Sequence, residues 1–229
     1  TVVPENFSFR MTDEEYRVLE KIKNSIPVCY LADHADFALG IVTGNNKKFL
    51  SAEKTEHSEM VLKGTDICKY HINPAKQYLR FEPEQFQQVA PLEIYRAPEK
   101  LLYRFISNQL VVAYDDRQML SLNSCNIVIP KIEGMQIKYI LAILNSSVSQ
   151  FVYQKEFHSI KVLRAHMEHI PIPRVGKAIQ NEIIAMTEPL ICGMGKEAAE
   201  TCQKRLDCRI MDLFRLSAEE QWIIRHALH

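Results

Sequence analysis

The spacing of apolar residues changes once along this chain of 229 residues, near residue 135. Before that point, short apolar runs are separated by Gly, Pro and Asn, which is typical of strands and turns. After it, Ile137, Ile140, Leu141 and Leu144 recur at helical spacing. Because strands and helices do not alternate strictly, the pattern predicts an α+β fold. We expect a mixed, mostly antiparallel sheet with short helices, followed by an α-helical C-terminal segment.

The first part of the chain contains six predicted strands, which span 28–32, 39–43, 76–81, 101–106, 110–114 and 126–129. The fourth and fifth flank Ser107, Asn108 and Gln109 and therefore predict a hairpin. A short helix is predicted at 83–90, and a further short strand at 160–163.

Residues 12–24 are predicted to form a helix, because Thr12 and Glu15 have the spacing of a capping box. We place an N-terminal helix and linker at 1–27 and the main domain at 28–174. The remainder, 175–229, is predicted to be helical.

Prolines and glycines divide the C-terminal half. The sequence Ile-Pro-Ile-Pro at 170–173 excludes a helix and predicts an extended exit from the main domain. Residues 177–215 are predicted to be mostly helical, with breaks near Pro189 and at 193–195. A capping sequence, Ser-Ala-Glu-Glu at 217–220, opens a last helix.

Composition limits the class of protein. With 47% hydrophobic residues, the chain has enough apolar surface for one large domain or a domain with a subdomain. No apolar run approaches the length of about 18 residues that a membrane-spanning helix needs. The six cysteines form no Cys-x-x-Cys pair and no zinc-ligand spacing, so we expect free thiols and a cytoplasmic location. Because the sequence starts with Thr, we expect it to be part of a longer polypeptide.

The net charge is zero, which argues mildly against a nucleic-acid partner, but the charges are unevenly distributed. Residues 100–174 contain nine Lys or Arg against five Asp or Glu. This basic excess fits either a groove for a polyanion or an ordinary solvated face.

One polar loop has a composition suited to nucleic acid. Gly-Ile-Val-Thr-Gly-Asn-Asn-Lys-Lys-Phe, at 40–49, interrupts a β-branched run with a turn and closes it with an aromatic residue. Asn amides pair with base edges and Lys ammoniums with phosphates. The same residues also suit an ordinary polar turn between strands.

No complete catalytic motif is present. The nearest glycine-rich match, Gly193-Met194-Gly195, lies inside a helical segment without a preceding strand. A metal-dependent nuclease built on Glu53, Asp115 and Asp116 stays open as an alternative, although solvated turns explain these carboxylates better. His166 and His169 have the spacing of neighbours on a helical turn, but no third metal ligand is placed. We therefore expect the chain itself to be non-catalytic and to hold no metal.

Six local patterns occur in an order that resembles a known family. They are Gly-Ile-Val-Thr-Gly-Asn-x-x-x-Phe at 40–49, Leu-Lys-Gly-x-Asp-Ile-x-Lys-Tyr at 62–70, Pro-Glu-Lys-Leu-Leu-Tyr-Arg at 98–104, Leu-Asn-Ser-Cys-Asn-Ile-Val-Ile-Pro at 122–130, Leu-Ala-Ile-Leu-Asn-Ser at 141–146, and Ile-Pro-Ile-Pro at 170–173. This series resembles the TaqI-like C-terminal specificity domain. That domain is the target-recognition part of adenine-N6 DNA methyltransferases and of fused restriction–methylation enzymes.

The resemblance implies a division of labour. A separate N-terminal methyltransferase domain of the same polypeptide would carry the Asn-Pro-Pro-Tyr-type motif, which is absent here, and would use S-adenosylmethionine. This chain would hold no cofactor and would read double-stranded DNA through loops in the major groove. The residues that we expect at the DNA are Thr43, Asn45, Asn46, Lys47, Lys48, Lys63, Lys69, Arg104, Arg117, Lys161 and Arg164.

Two alternatives accompany this interpretation. The related recognition domains of type I specificity subunits fit similar patterns, and an interaction domain that merely shares the fold is a further possibility. Because phosphate contacts supply much of the affinity for DNA, a neutral chain is expected to bind DNA weakly by itself and to lose that binding as salt rises.

Overall fold

A helical layer, a four-stranded sheet and a second four-stranded sheet stack in that order in the computed structural model, which describes residues 11–157 and 159–228. The helices are α1 (Asp13–Asn24), α2 (Asn46–Phe49), α3 (Leu92–Tyr95), α4 (Ile137–Asn145), α5 (Ser147–Phe157), α6 (Arg164–Glu168), α7 (Lys177–Ile191), α8 (Lys196–Leu213) and α9 (Ala218–Ala227). The strands are β1 (Val28–Cys29), β2 (Ala35–Ala38), β3 (Leu50–Ser51), β4 (Glu59–Leu62), β5 (Tyr78–Leu79), β6 (Lys100–Arg104), β7 (Val112–Asp115), β8 (Leu120–Ser121), β9 (Cys125–Pro130) and β10 (Ile172–Pro173).

The first sheet has the order β2-β9-β6-β7 and is antiparallel throughout. The second has the order β3-β5-β4-β8, and its β4–β8 pair is parallel. Strands β1 and β10 form a separate antiparallel pair. Since α7, α8 and α9 follow these strands, the predicted fold class is confirmed.

The first sheet separates two hydrophobic cores, because successive residues of a strand face opposite sides. On β6, Leu101 and Tyr103 join the core that contains the helices, whereas Leu102 joins the core shared with the second sheet. Neighbouring β9 follows the same alternation, with Val128 on the helical side and Ile127 on the other.

Helix α1 packs with the C-terminal helices. Its residues Val18, Leu19 and Ile22 belong to the helical core, as its apolar spacing requires. Lys21 pairs with Glu220 of α9 at 2.5 Å, and Lys155 of α5 pairs with Glu15 at 2.7 Å. The beginning and the end of the described chain therefore stabilise one helical layer. The domain limits at 27 and 174 stay predictions, and residues 1–10 lie outside the described part.

Several predicted elements are confirmed. The capping box of Thr12 and Glu15 opens α1, and that of Ser217 and Glu220 opens α9. The hairpin forms as β6 and β7. Of the six cysteines, all are free thiols. Within the described residues, no helix combines the length and the hydropathy needed to span a membrane.

Other predicted strands and helices are shorter than expected or wrong. Strand β2 ends at Ala38, and Ile41 and Val42 make single bridges to different partners, so no strand forms at 39–43. The predicted strands at 28–32 and 76–81 shrink to two residues each. The strand at 160–163 is reduced to one bridge between Lys161 and Ile106.

The helix expected at 83–90 is only a 3-10 turn, Pro83–Gln85, because Gln88 pairs its backbone with Val42 instead. Pro189 does not break α7, which continues to Ile191. Burial of Ile183 and Leu190 in the core outweighs the single hydrogen bond that this proline cannot make.

Candidate nucleic-acid interface

The turn 122–124 joins three segments that lead to predicted DNA-binding residues. The Leu122 N–H donates to Leu62 O at 2.8 Å, and the Asn123 N–H donates to Ile41 O at 3.1 Å. The Phe105 N–H donates to Ser124 O at 3.0 Å. Residues 62–66, 104–107, 122–124 and 160–164 therefore meet at one end of the strands, and we call them the strand-end surface.

Two glycines allow this close approach. A Cβ on Gly40 would lie 2.1 Å from the carbonyl oxygen of Leu122, and one on Gly64 would lie 2.6 Å from that of Ser124. Any larger residue would push the turn away from its neighbours. The repeated glycines of the 40–49 and 62–70 patterns thus have a packing role.

The 43–48 loop uses its Asn and Thr side chains to hold its own shape. The buried Thr43 hydroxyl donates to Asn46 Oδ1 at 2.6 Å and accepts from the Asn45 N–H at 3.2 Å. Asn45 Oδ1 accepts from the Lys48 N–H at 3.2 Å and so caps α2. Gly44, at φ +77°, supplies the left-handed turn.

The two lysines of this loop are exposed. Lys48 lies over the Phe49 ring at 4.7 Å, and Phe49 packs edge-on against Phe86 at 5.4 Å. The loop therefore presents Lys47 and Lys48 from an aromatic base. This exposed position suits the predicted contact of the two lysines with DNA. The Thr43 side chain faces inward, so its predicted contact with DNA fits the structure less well.

On the strand-end surface, Lys63 and Arg104 have different surroundings. Lys63 is half-buried, and no carboxylate among the described residues pairs with its ammonium. The Arg104 guanidinium donates to the backbone carbonyls of Gly64 at 3.0 Å and Ile67 at 2.5 Å. Arg104 therefore holds the 64–67 turn in place.

Lys161 and Arg164 complete this surface. The exposed Lys161 pairs its backbone with Ile106. Arg164 forms an ion pair with Glu168 at 2.6 Å and lies over the Phe37 ring at 5.2 Å. Of these two residues, only Lys161 lacks a carboxylate partner within residues 11–157 and 159–228.

Lys69 lies away from this surface, between the first sheet and the helices. Its ammonium donates to the carbonyl oxygen of Asn145, the last residue of α4, at 3.2 Å. Burial lowers the pKa of Lys69, and the Asp207 carboxylate partly opposes that shift. A cation at a helix C-terminus is electrostatically favourable, so this lysine stabilises the joint between sheet and helix.

Arg117 lies at the opposite end of the strands. It precedes β8, whereas Lys63 follows β4, and these two strands run parallel with Val61 opposite Leu120. The Arg117 side chain is exposed on the turn after β7. It cannot share one small contact surface with Lys63, so the structure separates these two predicted residues.

The Arg117 turn rests on a buried ion pair that was not anticipated from the sequence. The Lys100 ammonium donates to Asp115 Oδ2 at 2.5 Å, and both side chains are fully buried. Asp115 also accepts from the N–H groups of Arg117 at 2.9 Å and Met119 at 3.0 Å. Lys100 and Asp115 stand opposite each other on β6 and β7, and only the pairing of these strands could have indicated their contact.

The described residues contain no group of three His, Cys, Asp or Glu side chains that could hold a metal ion. Asp115, one of the carboxylates considered for a nuclease, is committed to Lys100 and two backbone N–H groups. His166 Nδ1 accepts from the Leu163 N–H at 3.2 Å, while His169 Nδ1 lies 2.6 Å from Ala165 O. These side chains have structural partners.

Comparison with protein families identifies the chain. Residues 59–172 match the TaqI-like C-terminal specificity domain. The chain carries a TaqI-like C-terminal specificity domain. The match includes the turn 122–124 and the rest of the strand-end surface, whereas the 43–48 loop precedes it. A search among curated protein sequences found no match.

Solved structures that are similar to this chain include one with the same fold. The type IIL restriction-modification enzyme MmeI, solved in complex with DNA, is similar with a TM-score of 0.58 and 10% identity over 86% of this chain. Two further similarities are weaker: the HsdS subunit from Thermoanaerobacter tengcongensis (TM-score 0.45, 14% identity, 94% of this chain and 50% of that one) and the type IIG restriction endonuclease BpuSI (0.48, 9%, 89% and 33%). The chain spans 35% of the MmeI chain.

Proposed function

We propose that this chain recognises a specific sequence in double-stranded DNA. It would do so as the specificity part of an adenine-N6 DNA methyltransferase or restriction-modification enzyme. A separate N-terminal domain of the same polypeptide would bind S-adenosylmethionine and transfer the methyl group. The chain's own residues would bind the duplex and fix its register.

The observation that carries this proposal is a set of unpaired cations on the strand-end surface and on the 43–48 loop. Lys47, Lys48, Lys63 and Lys161 have no carboxylate partner among residues 11–157 and 159–228, although the net charge of the chain is zero. Structural lysines of this chain do have partners, as Lys100 and Lys155 illustrate. Free ammoniums on loops are suited to phosphate oxygens.

The expected affinity follows from the number of these cations. Each phosphate neutralised on B-DNA contributes a slope of about −0.9 to the dependence of log K on log salt. Four contacts would give a slope of roughly −3.6, which implies weak binding at physiological salt. We expect the isolated chain to bind in the micromolar range or more weakly, and any stronger binding to need the separate domain.

A selection experiment tests this proposal. The 229-residue chain is incubated with a pool of random DNA duplexes at low salt, and the bound fraction is sequenced over successive rounds. We expect one sequence to be enriched. The proposal is wrong if the bound pool keeps the base composition of the input at every position.

The lysines of the 43–48 loop are tested by the double change Lys47→Ala and Lys48→Ala. Loss of two phosphate contacts should weaken binding and reduce the magnitude of the salt slope by about 2. The matched control is Lys177→Ala with Lys204→Ala, which removes two exposed lysines from the helical segment. If both double variants weakened DNA binding equally, binding would depend on the overall charge of the chain and not on the 43–48 loop.

The methyltransferase part is tested with the full-length protein. With S-adenosylmethionine, we expect N6-methyladenine to appear within the selected sequence and not in a scrambled duplex. Selective binding without any methylation would support DNA recognition and contradict the proposed methyl transfer.

A further inference from the structure

Asn123 lies at the centre of the strand-end surface, on the turn between β8 and β9. Its backbone N–H is bonded to Ile41 O at 3.1 Å, and the Cys125 N–H closes the turn by donating to Leu122 O at 2.7 Å. The Ser124 hydroxyl is also occupied, because it accepts from the Gly64 N–H at 2.9 Å. The turn is thus fixed from both sides by backbone contacts.

The Asn123 amide, in contrast, is exposed and has no hydrogen-bond partner among the described residues. Four other asparagines differ in this respect. Asn45 and Asn46 shape their own loop, and Asn126 accepts from the Gly40 N–H at 3.2 Å. Asn145 bonds to the backbone of Val112.

Nothing in the turn itself calls for an asparagine at this position. Asparagine is favoured in turns where φ is positive or where its side chain bonds the nearby backbone. Asn123 is not among the residues with positive φ, and its side chain makes no such bond. The turn therefore holds a free amide on a rigid base, which is the arrangement a base-reading side chain needs.

We propose that Asn123 reads an adenine base in the major groove. A single Asn amide can accept from adenine N6 and donate to N7, a pairing that no other base offers. Ile106, 53% exposed, lies one residue beyond Phe105, whose N–H bonds to Ser124 O. It supplies an apolar contact for the methyl group of the paired thymine. This inference rests on the proposed function.

The test compares base preferences of the wild-type chain, Asn123→Ala and Asn123→Asp in the same random-duplex selection. At one position, the wild type should prefer adenine. Asn123→Ala should reduce that preference by about 5- to 150-fold, the loss expected for one bidentate contact, and leave other positions unchanged. The Asp side chain of Asn123→Asp can only accept hydrogen bonds, so this variant should shift the preference towards cytosine, whose N4 amino group donates.

Asn181→Ala is the matched control, since Asn181 is an exposed asparagine on α7. Thermal unfolding of each variant reports whether the fold is kept. The inference is overturned if Asn123→Ala keeps every preference of the wild type, or if it weakens binding to all sequences equally. No enrichment by the wild type would instead overturn the proposed function itself.

Discussion

Lys100 and Asp115 face each other across β6 and β7 as a fully buried ion pair, with 2.5 Å between Nζ and Oδ2. Lys100 also donates to Tyr95 O at 2.7 Å, and Asp115 accepts from the N–H groups of Arg117 and Met119. The pair therefore fixes both the end of α3 and the exposed turn that presents Arg117. It is the one place in the described sheets where two opposite charges are fully removed from water.

Replacing Asp115 by Asn should lower the free energy of unfolding by about 3–5 kcal/mol, because it leaves a buried ammonium without its counter-charge. Urea denaturation measures this difference. Asp36→Asn is the matched control: Asp36 pairs with Lys131 at the same 2.5 Å, but the two side chains are 43% and 59% exposed. An exposed pair of this kind contributes less than about 1 kcal/mol. Equal losses in the two variants would contradict the role of burial.

Replacing Arg104 by Met should lower the free energy of unfolding by about 2–3 kcal/mol, since the carbonyls of Gly64 and Ile67 lose a charged donor. Lys161→Met should leave the unfolding free energy nearly unchanged and weaken DNA binding. If Arg104→Met proved as stable as the wild type but bound DNA more weakly, Arg104 would be a DNA contact and not a support for the turn.

Replacing Gly40 by Ala should destabilise the protein by about 3 kcal/mol, the upper end of the usual cost of overpacking, because the new Cβ would lie 2.1 Å from a backbone oxygen that cannot rotate away. Gly176→Ala serves as the comparison, since nothing lies within 4 Å of a Cβ there. Its cost should stay below about 1 kcal/mol. Thermal unfolding of the two variants measures both costs. Equal costs would mean that the 39–42 segment does not lie in close contact with the Leu122 backbone.

The unfolding free energy should fall as the pH is lowered below about 6.5, the ordinary pKa of histidine. Burial lowers the pKa of His166 in the folded protein, while a backbone hydrogen bond partly opposes the shift. The unfolded state then binds more protons than the folded state between the two pKa values, so acid favours unfolding in that window. Urea titrations between pH 5 and 7.5 measure the slope.

His166→Gln separates this residue from other titrating groups. His166 is at the third position of α6, where a Gln side chain can accept the same Leu163 N–H without binding a proton. We expect the variant to lose part of the pH dependence and to keep its stability at pH 7.5. An unchanged slope would assign the pH dependence to other groups.

Local chemistry made much of the fold predictable. The capping boxes at Thr12 and Ser217, the hairpin of β6 and β7 and the helical stripe after residue 135 depend on residues a few positions apart, and all of them form. The order of six short patterns likewise indicated the family, which the match over 59–172 confirms. The prediction of a strand at 39–43 was wrong because Ile41 and Val42 pair with separate partners, and no local pattern encodes that pairing.

The sequence alone determined the α+β class, the helix ends and the family, because these depend on spacing within short windows. It could not assign roles to the basic residues. Lys69 and Arg104 bond to carbonyls at Asn145 and Ile67, whereas Lys47 and Lys48 remain exposed. Partners such as Lys69 and Asn145, far apart in the chain, meet only when sheet and helices pack. Tertiary structure therefore decided which cations have structural partners and which are exposed, and it alone placed Asn123 at the meeting point of three segments.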